Sequence, residues 1–471
     1  MKNYAVIICM LLVFVACKTE KKEEAKAAAK KVEVLQPISA LDLETAVIYE
    51  ANIRQYSPEG TFNEFTKDIP QLKQLGVKVI WLMPVFPISE TKRKATGGAD
   101  SKFASDFPED QQAKYLGSYY AVSDFTEINP EFGTKEDFRK LIKVAHANGI
   151  YVILDWVPNH TGWDHKWLKT NPEYYTQNDN GEVVHPDGTD WTDVADLNYN
   201  NKDMRNAMIA DMSYWLTKEG VDGFRCDVAG SVPTDFWQEA VPQLRAQKDI
   251  FMLAEAWEPE LLEGNLFDMA YAWDGHHLLN GLAKQEKNLT DYDAYITKIT
   301  TDYAADDILM NFVTNHDENS WSGTIKERMG EASELMTVTS FMLKGMPLIY
   351  SGQEYNLNHR LKFFEKDSFP KIKADSWALL QKLGTLKNTN PALNGGKNAA
   401  DYTRLNSEKD ILMFERSKDD KTILFIGNFS DKSNKINAPQ GEYLNYMTNK
   451  SIVLNGDAFE MKPWSYKILI K

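Results

Sequence analysis

The chain has 471 residues, 43% of them hydrophobic and 12% aromatic, with a formal net charge of −15. That length exceeds one ordinary compact core and suits a large α/β barrel with an appended domain, or three small domains. An acidic balance without a clustered cationic patch argues against a nucleic-acid partner, and Cys9, Cys17 and Cys226 are too few for a disulfide framework.

Lys2 precedes an apolar run, Ala5 to Ala16. The run is shorter than the roughly 20 residues of a membrane-spanning helix, so residues 1–17 read as an export signal. It closes on Phe14-Val15-Ala16-Cys17. A small residue directly before Cys resembles a bacterial lipobox, so Cys17 is expected to carry lipid and anchor an exported protein to the bacterial envelope, at the periplasmic face or the cell surface. The competing reading is an ordinary secretory signal with an incidental Cys. Residues 18–41 read as a charged tether, because Lys, Glu and Ala dominate Lys18 to Glu33 and leave little apolar surface to bury.

From about Ala46 an amphipathic helix, a Gly and an apolar strand recur as a unit. Phe65, Ile69, Leu72 and Leu75 lie at helical spacing before Gly76 and the strand Val79 to Met83. Phe138, Leu141, Ile142 and Ala145 precede Gly149 and Tyr151 to Asp155, with Thr134 and Asp137 set as a capping box; Met204, Met208, Met212 and Trp215 precede Gly220 and Gly223 to Asp227. Further strands are expected at Val47 to Glu50, Ile250 to Glu255, Met269 to Trp273, Met310 to Thr314 and Pro347 to Gly352. Continuous apolar strands alternating with helices imply a parallel sheet buried on both faces. Eight such units fit a closed (β/α)8 TIM barrel over residues 42–386, although periodicity alone also admits an open doubly wound sheet.

Two long excursions leave from strand C-termini, where barrels place active sites: about Val85 to Gly133, and an inserted subdomain over 159–200 after the third strand. Beyond 386 the rhythm stops. Short strands at Ile411 to Glu415, Thr422 to Asn428, Tyr443 to Met447 and Tyr466 to Ile470 predict a C-terminal antiparallel β domain, a sandwich, over 387–471.

Four barrel strands end on acids: Asp155-Trp156-Val157-Pro158-Asn159-His160, Arg225-Cys226-Asp227, Glu255-Ala256-Trp257 and Asn315-His316-Asp317-Glu318. Carboxylates are costly to bury unless paired, so four on one rim point to chemistry rather than to helix capping. Metal-assisted hydrolysis lacks a His-Glu-x-x-His signature, whereas cleavage of a glycosidic bond needs one protonated and one ionised carboxyl. Arg225, two residues before Asp227, shares its side of the strand and would keep it ionised. The apolar approach Phe251-Met252-Leu253-Ala254 would raise the Glu255 pKa, as a general acid requires. Cys226 faces the other way and reads as a packed thiol.

In order and spacing, these segments resemble the signature regions of the α-amylase family of glycoside hydrolases, with Asp196-Leu197-Asn198 and Gly76 to Pro84 resembling two further regions. The resemblance implies Asp227 as nucleophile, Glu255 as acid/base and Asp317 as transition-state stabiliser. It implies Tyr120, His160, Arg225 and His316 around the reacting sugar, and Trp257 as a platform for the leaving half. It implies calcium at Asn159 and Asp196, and no organic cofactor. Ser118 and Gly230-Ser231 depart from the family's usual His and Lys-His. The implied partner is an α-1,4-glucan, with the membrane met only through the lipid anchor. The implied activity is retaining hydrolysis of starch or maltodextrin; a 4-α-glucanotransferase shares the same acids, and a non-catalytic glucan-binding protein would lack one of them.

Overall fold

The computed structural model describes residues 35–98, 100–437 and 439–471. The expected signal peptide, Cys17 and most of the tether lie outside the described residues. Leu35–Lys471 form one compact unit. Its packing already includes the end of the expected tether: Ile38 is buried, and the Tyr151 hydroxyl donates to the Gln36 carbonyl (3.1 Å).

Among the described residues up to the barrel's end the strands are β1 Val47–Ala51, β2 Val77–Leu82, β3 Tyr151–Trp156, β4 His160–Gly162, β5 Val194–Asp196, β6 Gly223–Cys226, β7 Phe251–Ala254, β8 Met269–Tyr271, β9 Leu309–Asn311 and β10 Met346–Tyr350. Eight of them close a parallel barrel in the order β1-β10-β9-β8-β7-β6-β3-β2. Each expected barrel strand is present, and the sheet closes rather than staying open. Alternate side chains separate two cores. Ile48, Val79, Ile153, Leu253, Met310 and Leu348 fill the barrel interior, while Val47, Tyr49, Ile80, Val152 and Met252 pack outward against the helices.

The helix expected before β3 runs Lys135–Ala147, and Thr134 and Asp137 form its capping box. The insertion after β3 contains the antiparallel pair β4–β5, with His160 opposite Asp196.

The C-terminal strands are β11 Asp401–Arg404, β12 Ile411–Lys418, β13 Lys421–Asn428, β14 Asn434–Asn437, β15 Gly441–Asn445, β16 Lys450–Leu454, β17 Ala458–Met461 and β18 Tyr466–Ile470. Six form a sheet in the order β11-β12-β13-β18-β15-β16. One face joins the barrel's outer core through Leu412, Phe414, Ile423, Phe425 and Ile468. The β14–β17 pair covers the other through Ile436 and Met461. The strands β11, β14, β16 and β17, absent from the sequence expectation, are short and largely exposed, so little apolar patterning marks them.

Candidate active site

Parallel pairing sets Asp155 of β3 beside Arg225 of β6, and Arg225 beside Leu253 of β7. Asp227 and Glu255 follow directly on β6 and β7. This places a fully buried guanidinium among the acids at the barrel's C-terminal rim. Arg225 Nη1 donates to Asp155 Oδ1 and to Asp227 Oδ1, both at 2.8 Å, and Nε donates to the Tyr271 hydroxyl at 3.1 Å. Nη2 lies 2.7 Å from Glu255 Oε2, an ion pair whose angle does not make a hydrogen bond. Glu255 Oε2 also accepts from the Val228 amide (2.9 Å).

A second charged centre sits alongside. Glu50, at the end of β1, accepts from His316 Nδ1 (2.6 Å). His316 Nε2 reaches the Tyr120 hydroxyl (2.7 Å) and Asp317 Oδ2 (3.2 Å), and the Tyr120 hydroxyl donates to Asp155 Oδ2 (3.2 Å). Glu50, His316, Tyr120, Asp155 and Arg225 thus form one continuous polar network beneath the acids.

Burial pushes the carboxyls of Asp227, Glu255 and Asp317 above their ordinary range; Arg225 pulls the first two back, and His316 pulls back the third. Burial carries Asp155 up to about 7 against the pull of Arg225. Burial opposes charge on His316, but Asp317 and Glu50 outweigh it and raise the imidazole to about 9. His160, buried without such partners, falls to about 3 and is neutral.

A cleft of about 330 Å³ opens over these groups, lined by Tyr120, His160, Asp227, Glu255, His316 and Asp317. Six expected site residues therefore share one cavity, and the fully buried Arg225 holds Asp227 and Glu255 from beneath. Trp257 does not line it. It is 50% exposed and stacks on Trp273 (5.6 Å between rings) over a shallow depression that meets the cleft at Val228 and Glu255. Cys226 is buried and unpaired, and burial holds its thiol well above the ordinary value.

Asn159 and Asp196 stand together through the β4–β5 pairing, with Leu197 N donating to Asn159 O (3.2 Å). They supply one amide and one carboxylate. Calcium takes about six to eight oxygens, and among the described residues no group of three or more His, Cys, Asp or Glu could hold a metal. The pair by itself does not make a calcium site.

Sequence reasoning missed Glu50, Lys94, Trp321 and Phe363. Glu50 carried the same signal as the chosen acids, a carboxylate closing an apolar strand. Lys94 and Phe363 lie in loops and Trp321 in the short helix Glu318–Ser322, and all three reach the cleft only through the fold.

The family model of the alpha amylase catalytic domain matches residues 45–188 and 188–376. The chain belongs to the α-amylase family. Alpha-amylase MalA of Haloarcula japonica is 24% identical over 84% of this chain and 57% of its own length. The 4-alpha-glucanotransferase of Thermotoga neapolitana is 29% identical over 63% of this chain and 68% of its own. An alpha-amylase structure from Lactobacillus plantarum superposes with a TM-score of 0.79 at 28% identity, covering 92% of this chain and 100% of that one. The chain spans 57%, 64% and 51% of three of the curated relatives it matches.

The raised His316 pKa sets a sign for stability. Its contribution is fully present below the unfolded value near 6.5 and is lost as pH rises through about 9. Glu50→Gln removes part of that contribution. The stability gap between wild type and variant, from urea denaturation, should therefore be widest below pH 6.5 and narrow towards pH 9 and above; a pH-independent gap would contradict the charged pair.

Proposed function

We propose that the protein hydrolyses α-1,4-glucosidic bonds of starch, maltodextrin or related α-glucans with retention of anomeric configuration. The observation that carries this reading is that Asp227 and Glu255 touch one guanidinium in one cleft, which supports the short carboxyl separation of retaining glycosidases, about 5–5.5 Å. Asp227, held ionised by Arg225, attacks the anomeric carbon as the bond to the leaving oxygen breaks. Glu255 gives that oxygen its proton. It then takes a proton from water, whose oxygen displaces Asp227 and regenerates both acids. Asp317 and His316 receive sugar hydroxyls and steady the positive charge that develops on the ring, with Tyr120 as an apolar face.

A second reading, 4-α-glucanotransferase, uses the same steps with a sugar hydroxyl in place of water. The similarity to the Thermotoga enzyme of that name supports it. The lipidated, envelope-anchored form is likewise a proposal, resting on Ala16-Cys17 after the apolar run.

Glu255→Gln should lower kcat on maltooligosaccharides by about 10³-fold. It should spare the first-turnover burst of fluoride from α-maltosyl fluoride, whose leaving group needs no proton, while later turnovers slow because Glu255 also activates water. Loss of the burst itself would show damage to the site rather than loss of an acid and base. In cells, Cys17→Ser should move the protein out of the membrane fraction; unchanged membrane recovery would contradict lipidation.

A further inference from the structure

Proton transfer gives the cleft a direction. Glu255 protonates the departing oxygen, so the leaving half of the glucan lies on its outer side. There the cleft meets the open depression of Gly230, Ser231, Trp257 and Trp273. The half retained on Asp227 runs the other way, past Tyr120 and His316.

That other end is walled. The segment between β2 and β3 crosses it and is fastened to each neighbour. Gly97 lies flat on Trp321, so close that a Cβ would come within 2.8 Å of the indole. Lys94, 4% exposed, donates to the Asp190 carbonyl (2.5 Å) and faces Asp193 at 3.6 Å, both in the insertion after β3. Leu116 N donates to the Phe364 carbonyl (2.7 Å), and Tyr115 bridges to Glu365, both in the segment after β10. Arg54 draws the same two segments together through the Gly117 carbonyl (3.0 Å) and the Phe363 carbonyl (3.3 Å). The rings of Trp321 and Phe363, 5.1 Å apart, complete the wall beside Tyr120.

Segments after β2, β3, β9 and β10 therefore meet across the path that a polymer would need. The cleft's space of about 330 Å³ is at the small end of ligand cavities, roughly 300–1,000 Å³. On this geometry, and resting on the glucan reading above, we propose that the cleft is blind on its glycone side. It takes the non-reducing end of an α-glucan and shortens chains from that end. In an α-1,4-linked chain the ring over Asp227 continues through its 4-hydroxyl, and that hydroxyl faces the wall. Lys94 keeps N–H donors beyond the one given to Asp190 and, with Asp193, is placed to meet the terminal hydroxyls. Gly97, Lys94 and Trp321 then set product length without touching the reacting bond.

The test compares maltoheptaose with the same sugar carrying a cyclic acetal on its terminal 4- and 6-hydroxyls. The free-ended sugar should be cleaved at least about tenfold faster, with one short product from the earliest times. Equal rates, or a spread of early products, would overturn the proposal. Trp321→Ala, at a side chain 47% exposed and so little needed for folding, should shrink the ratio between the two substrates. An unchanged ratio in the folded variant would overturn this placement of the wall. Cleavage of neither sugar would overturn the glucan reading on which the proposal stands.

Discussion

A guanidinium removed from water organises this site. Burying a charge costs several kcal/mol unless partners replace its solvent, and Arg225 has its replacements on three strands: Asp155, Asp227 and Glu255, with the Tyr271 hydroxyl on a fourth. The barrel's parallel register brings those strand ends to one level. None of these acids can drift without stranding the cation, so the same contacts that compensate the charge also aim the carboxylates.

The acids outnumber the cations, and that imbalance has chemical use. Glu50, Asp155, Asp227, Glu255 and Asp317 share Arg225 and a protonated His316. Five carboxyls around two positive charges, all shielded from water, do not all ionise together easily. Burial raises every one of them, and the group that keeps a proton is the one the environment stabilises least as an anion. Asp227 takes a full hydrogen bond from Arg225, whereas Glu255 takes an unaligned ion pair from Arg225 and its hydrogen bond from the Val228 amide, so the two acids meet the same cation in different ways. Around this chemical centre the loops decide what enters. The wall built from the segments after β2, β3, β9 and β10 acts on substrate length and leaves the acids alone.

The barrel was legible because most of its strands are largely apolar runs that follow a helix-ending glycine or lead to an acid, signals confined to a few residues. The chemistry-bearing acids were legible for the same reason. Glu50 was equally marked but had no nearby partner in sequence; its meaning comes from His316, 266 positions away, which only the closing of β1 against β10 brings near. Trp257, expected as a platform for the leaving half, lines the depression that adjoins the cleft at Glu255 rather than the cleft itself. Lys94, Trp321 and Phe363 meet the cleft through long-range contacts such as Lys94 with Asp190 and Trp321 with Phe363, and no local pattern distinguishes them from packing residues. The small C-terminal strands escaped because an exposed strand of four or five residues carries too few apolar positions to show a period.

The account stands on Asp227 as the group that bonds to sugar. The direct measurement is mass mapping of peptides from the Glu255→Gln protein quenched in acid after exposure to α-maltosyl fluoride. The account predicts one maltosyl adduct, carried by Asp227. An adduct on another side chain, or fluoride released with no adduct at any carboxylate, would contradict it.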